Sequence, residues 1–306
     1  MRESKLPTVE TPLLRLPWDG RADVWVKDEG RCPTGTFKDR LAWRLADLLE
    51  PDADPGALIS SITMGNTALS LAEAFSSAFS DERRPQLFCV FPTGFSSHVI
   101  GPDNIGREML GSRLLRRVER LGCVCEEYAL ENARLSQQDI AALATSRGLS
   151  FSSHRDVSYG IEVAAYESIL AEALESMSEA PSVVVVPVGA GVLFEEFVQY
   201  VERYELKVRV IGVTTLLADS VADKIYGRYS PFFDALIRDG EARHPLYPRH
   251  LVLAISDDMI LSALSRIPMH VAAEPSAAAA FAMLDVHSEI AADQSVLVVN
   301  TGNGVL

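Results

Sequence analysis

Lys38 is the residue whose placement first suggests chemistry. It lies in "GRCPTGTFKDRLAWRLADLL", residues 30–49, where Thr36 followed three positions later by Asp39 reads as a helix start. Phe37, Leu41, Leu45, Leu48 and Leu49 then recur on one face of a 3.6-residue period. Lys38 thus falls in the first turn, where the helix dipole and unpaired N–H groups oppose an ammonium by about 0.3–1 kcal/mol. Partial desolvation and the helix terminus both favour the neutral, nucleophilic amine. A lysine badly placed for stability is well placed as a nucleophile and then as a base.

Three further runs of small residues follow apolar strands. Thr63-Met64-Gly65-Asn66-Thr67 offers a hydroxyl, an amide and N–H groups at a helix start, which suits a carboxylate or a ring oxygen, although Asn66 or Thr67 as a plain N-cap explains it equally well. Gly189-Ala190-Gly191-Val192-Leu193 leads from a valine-rich strand into a helix, so its N–H groups and the helix dipole can cradle a phosphate. A dinucleotide fingerprint is disfavoured there, because Phe194 occupies the third glycine's position and the next strand runs into Thr214 and Thr215 rather than an acid. Asn300-Thr301-Gly302-Asn303-Gly304 ends a strand with no helix behind it.

The elements that carry these runs alternate. Strands are expected at 57–62, 86–91, 182–188, 209–214, 250–256 and 295–300, and helices at about 107–121, 136–147, 160–177, 257–265 and 275–286. The Cys123–Cys125 pair reads as a strand, and loops are expected at 50–56, 80–85, 101–104, 178–182 and 240–248. Strand alternating with helix implies an α/β fold with twisted, mostly parallel sheets flanked by helices, and ligands bind such sheets beyond the carboxyl ends of the strands. The 306 residues suit two domains.

Composition narrows the function. A net charge of −14 disfavours nucleic acid and anionic membranes, and the cluster Arg113, Arg116, Arg117 and Arg120, interrupted by Glu119, reads as a solvated helix face. The N-terminus lacks an apolar signal region and no apolar run is long enough to span a bilayer, so a cytoplasmic protein is expected. Four dispersed cysteines suit a reducing compartment, and His98, His154, His244, His250, His270 and His287 show no metal-ligand spacing, so no metal is expected. His154-Arg155-Asp156 imitates a kinase catalytic loop but lacks its companion motifs.

"VKDEGRCPTGTFKDR", residues 26–40, resembles the cofactor-lysine signature of fold-type II pyridoxal-phosphate enzymes, in the form most similar to threonine synthases. "TMGNT" is similar to that family's S-S-G-N-T loop, "VPVGAGVL" to its phosphate loop, "AEPSAAAAFAML" to its E-P-x-S-A-A-A-L helix and "VVNTGNG" to its terminal T-G-N-G. The resemblance implies pyridoxal 5'-phosphate held in a cleft between a smaller α/β domain, residues 40–157, and a larger one, residues 8–39 with 158–306. Lys38 would carry the cofactor as an imine, Asn66 would bond the ring 3-hydroxyl, Gly189, Ala190, Gly191, Val192 and Leu193 would bind the phosphate, and Thr301 would meet the pyridine nitrogen. Gly65 and Thr67 would help hold the substrate carboxylate, and Thr63 and Met64 would also bind the substrate. An amino-acid substrate and a homodimer are implied as well.

A hydroxyl at Thr301 cannot stabilise a pyridinium as a carboxylate would, which disfavours racemisation and transamination and suits loss of a side-chain leaving group. The resemblance therefore implies a threonine-synthase-like lyase acting by Cα deprotonation and β- or γ-elimination or replacement. Cysteine-synthase-like β-replacement, serine or threonine dehydration, a non-catalytic binding or regulatory protein, and a nucleotide-binding α/β protein are the alternatives. Met64 in place of a small polar residue, with divergence over 91–160, points to a specialised relative. Cys32, Leu41, Ala190 and Val192 also depart from the family's usual residues. Backbone donation from the phosphate loop survives Ala190 and Val192 only if their φ stays negative.

Overall fold

The computed structural model describes residues 10–21, 23–93, 107–130, 135–158, 164–286 and 288–304, the side chains at 107–110 and 229 excepted. The chain forms two compact units, one comprising Glu10–Phe37 with Ala164–Val305 and the other Lys38–Val163.

The first unit holds a seven-stranded sheet. Its strands are β1 (Leu13–Leu16), β2 (Asp23–Asp28), β7 (Val183–Pro187), β8 (Arg209–Thr214), β9 (Glu241–Arg243), β10 (Leu251–Ala254) and β11 (Ser295–Asn300), in the order β1-β2-β11-β7-β8-β10-β9. Only the edge pairs β1–β2 and β9–β10 are antiparallel. The central strands run parallel, with Asn300 opposite Asp28 and Val298 opposite Val185. Every residue of β7 is buried, so both faces of that strand are covered, which is why it reads as an unbroken apolar run. α6 (Val192–Arg203) and α9 (Pro275–Ala282) pack on β7 and β8. Ala277, Ala278, Ala279, Ala280 and Ala282 of α9 are fully buried, and their small side chains let the helix lie close against the sheet.

The second unit has a parallel sheet ordered β5-β4-β3-β6, from β3 (Ala57–Ile62), β4 (Gln86–Pro92), β5 (Cys123–Tyr128) and β6 (Ser153–Asp156). α1 (Lys38–Leu49) packs against α2 (Asn66–Ala78) and buries Leu41, Ala42, Leu45 and Ala46, whereas Leu48 is 47% exposed and falls outside the expected stripe. α3 (Arg107–Arg120) carries Arg113, Arg116, Arg117 and Arg120 on its exposed side, and Arg117 pairs with Glu73 at 2.5 Å. α4 (Gln137–Ser146) starts with a capping box between Ser136 and Asp139.

The helix expected around Thr36–Asp39 begins at Lys38, which places Lys38 in its first turn, and Thr36 also forms a β-bridge with Gly302. One local expectation differs. α5 (Glu167–Ser176) is shorter than 160–177, its N-terminus being capped by a tertiary contact. The expected loop 101–104, residues 1–9, His98 and His287 lie outside the described residues. Among the described residues no helix is long and apolar enough to cross a membrane, and no group of His, Cys, Asp or Glu is arranged to hold a metal ion.

Candidate functional site

The carboxyl ends of β2, β11, β7 and β8 lie side by side, and each opens into a segment of small or polar residues. Beyond β7, Gly191 takes φ +95° and caps α6 with no side chain of its own. Ala190 and Val192 keep negative φ, since Ala164 and Glu205 are the described non-glycine residues with positive values. The left-handed step therefore falls on glycine alone, and the first-turn N–H groups of α6 stay available for an anion. A Cβ on Gly189 would stand 2.6 Å from the Lys224 carbonyl oxygen, so only glycine lets the loop lie this close to its neighbour.

The acidic residue in the first turn of α6 is engaged elsewhere. Glu195 takes hydrogen bonds from Gln199 at 3.0 Å and from His244 Nε2 at 3.0 Å. His244 Nδ1 accepts from the N–H groups of Leu246 and Tyr247, which leaves its proton on Nε2, facing the carboxylate.

Beyond β11, Thr301 is 5% exposed and its carbonyl accepts from the Phe37 N–H at 3.1 Å. Gly302 accepts from the Glu274 N–H, and Asn303 grips the 28–37 segment through its N–H to the Gly35 carbonyl and its side-chain amide to the Gly30 carbonyl. Asn300 donates to Asp28 at 2.7 Å and to the Ala272 carbonyl at 2.8 Å, while its buried Oδ1 has no hydrogen-bond partner among the described residues. The five-residue run that ends β11 is thus a clamp on the segment leading to Lys38. Gly35, with φ +81°, has no room for a side chain beside Asn303.

In the other unit, Lys38 opens α1 and is half-buried. Thr63, Met64, Gly65, Asn66 and Thr67 follow β3 at the start of α2. Gly65, at φ +113°, is the N-cap, so neither Asn66 nor Thr67 fills that role and both fall within the first turn. The Thr63 hydroxyl accepts from the Gly65 N–H at 2.9 Å and fixes the turn. Below it, Ser158 donates to Asp156 and accepts from the Ile62 N–H, and Ser60 bonds both His154 and Asp156. Burial holds the His154 pKa below its ordinary value.

Within the first unit the structure therefore gathers residues 189–193 and Thr301 at the carboxyl end of one sheet, and within the second it gathers residues 63–67 at one helix start. The first set by itself suits both ends of a phosphorylated heteroaromatic group, with a glycine cradle and helix N-terminus for the phosphate and a buried threonine for a ring nitrogen. Sequence reasoning assigned no role to Lys224 or Glu274, whose ion pair borders both Gly189 and Gly302. Glu274 had a visible signal, an acid before Pro275 at a helix start, whereas nothing around Lys224 marks it.

The family profile described as "Pyridoxal-phosphate dependent enzyme" matches residues 5–302. Cysteine synthase B of Salmonella typhimurium is 29% identical over 143 residues, 45% of this chain and 41% of that protein, so the chain spans less than half the length of this relative. Among solved structures, an O-acetylserine-dependent cystathionine β-synthase from Helicobacter pylori aligns with a TM-score of 0.69 at 17% identity, covering 97% of this chain and 93% of the other. Serine racemase from Dictyostelium discoideum aligns with a TM-score of 0.66 at 17% identity, covering 97% and 93%. Likeness at this level of identity shows the shared fold.

Proposed function

The chain belongs to the pyridoxal-phosphate-dependent enzyme family, with pyridoxal 5'-phosphate as its cofactor, and from that premise we propose that it removes or replaces a β- or γ-leaving group on an amino acid, in the manner of threonine synthases. When bound, the cofactor supplies an electron sink that acidifies the substrate's α-proton. Lys38 would hold the cofactor covalently, and its amine, once free, would take the α-proton and return it to the product. The N–H groups of 189–193 would hold the phosphate, Asn66 would bond the ring hydroxyl, and Thr63, Gly65 and Thr67 would orient the substrate carboxylate beside Met64.

The observation that carries this reading is the buried Thr301 hydroxyl at the end of β11. It can donate to a neutral ring nitrogen but cannot stabilise a pyridinium as a carboxylate would, so electron withdrawal is tempered and departure of a side-chain group is favoured. The 143-residue match to cysteine synthase B supports β-replacement as the second reading.

The test is a product screen of the cofactor-loaded protein against amino acids carrying β- and γ-leaving groups, with and without a thiol. Release of a keto acid supports elimination, and a new amino acid supports replacement. Absence of both α-proton exchange and product for every compound refutes the proposal and favours a binding or regulatory protein.

A further inference from the structure

A charge pair lies behind Thr301. The Glu274 N–H donates to the Gly302 carbonyl at 3.0 Å, and Glu274 Oε1 stands 3.0 Å from the position of a Cβ on Gly302, one residue beyond Thr301. Glu274 Oε2 accepts from the Lys224 ammonium, and the two side chains are only 10% and 5% exposed for Lys224 and Glu274. Lys224 is fixed at its backbone too, with its N–H 3.3 Å from the Ser276 hydroxyl and its carbonyl against Gly189. The pair therefore spans the two strand-end loops assigned to the two ends of the cofactor. Other acids on this edge are also engaged: Asp28 with Asn300 and Arg31, and Glu29 with the Thr11 hydroxyl and the Cys32 thiol.

An uncompensated buried carboxylate beside a pyridine nitrogen favours its protonation, and a cation at similar distance cancels that effect. We propose, building on the cofactor assignment above, that Lys224 balances Glu274 so that the cofactor's ring nitrogen stays unprotonated, which confines the enzyme to loss or exchange of side-chain groups and suppresses racemisation. Lys224 is a positioning and charge-balancing residue in this scheme and touches no reacting atom.

The experiment is ¹⁵N NMR of protein loaded with ring-labelled pyridoxal phosphate, paired with chiral analysis of the amino acid recovered after solvent exchange. The wild type shows an unprotonated nitrogen. In Lys224→Met the protonated-to-unprotonated ratio rises roughly tenfold or more, and recovered D-amino acid rises with it. Lys224→Arg and the neutral pair Lys224→Met/Glu274→Gln return both readouts to the wild-type state. A protonated nitrogen in the wild type, or an unchanged signal in Lys224→Met, overturns the proposal. If Lys224→Met does not fold, the neutral double variant decides: an unprotonated nitrogen supports charge balance, and a protonated one overturns it. Failure of the label to bind at all overturns the cofactor reading as well, whereas bound label with an unmoved Lys224→Met signal overturns this inference alone.

Discussion

Replacing Gly189 with alanine places a methyl group 2.6 Å from the Lys224 carbonyl oxygen. Ordinary contact begins near 3.4 Å, so loop or carbonyl must retreat by about 0.8 Å, and a backbone oxygen cannot swing aside as a flexible side chain could. Overpacking of this kind costs about 1–3 kcal/mol of stability. The larger effect falls on the phosphate, because hydrogen bonds from the loop's N–H groups tolerate only about 0.5 Å of variation in length. Losing one charge-assisted bond at about 1.5–3 kcal/mol weakens cofactor binding about ten- to hundredfold. Titration of apoprotein with pyridoxal phosphate, followed by fluorescence and ³¹P NMR, reads that loss. Gly148→Ala is the control, since Gly148 has φ +83° but nothing within 4 Å of a new Cβ. It carries backbone strain without crowding and leaves affinity within about twofold. A Gly189→Ala protein that binds cofactor as tightly as the control refutes the assignment of residues 189–193 to the phosphate.

Lys38→Ala abolishes the borohydride-stable cofactor adduct seen by mass spectrometry and slows α-proton exchange at least about a hundredfold. Glu196, 1% exposed, accepts from the Tyr166 N–H at 2.6 Å and the Glu167 N–H at 3.2 Å and so caps α5 from α6. Glu196→Gln therefore lowers the urea unfolding free energy by about 1–2 kcal/mol while cofactor affinity holds. His250 is fully buried, its Nδ1 accepting from the Val210 N–H and its Nε2 facing Glu202, and burial lowers its pKa below 6.5. The unfolded chain then takes up a proton near pH 6.5 that the folded chain refuses, so stability is present above that pH and falls below it, by at most about 1.4 kcal/mol per pH unit for this group. Urea midpoints at pH 7 and 5.5 report the slope; His250→Gln flattens it, and equal slopes in both proteins count against the assignment.

The parallel strands are legible because burial on both faces turns them into continuous apolar runs, as in β7 and β11. β6, "SHRD", is not legible as a strand: its mixed polar pattern suggests a catalytic motif, while its partner is β3, whose Ser60 bonds His154 and Asp156 and is distant in sequence. The bridge that ties Thr36 to Gly302 is illegible for a similar reason, since the two residues are distant in sequence. Glycine spacing reveals the loop at 189–193 because φ and close approach restrict which residues can stand there. Ion pairing across loops leaves no local pattern, which is why Lys224 stays hidden until the fold brings it to Glu274.

β2 pairs with β1 on one side and on the other with the sequence-distant β11, where Asp28 and Asn300 are 272 positions apart. At a translation rate of about 5–20 residues per second, the early strand waits tens of seconds on the ribosome before its partner emerges. The unit formed by Lys38–Val163 is inserted in the meantime and can complete itself first. The grip of Asn303 on Gly30 and Gly35 joins residues up to 273 positions apart, so the segment ahead of Lys38 gains that anchor only after residues 295–304 have been made.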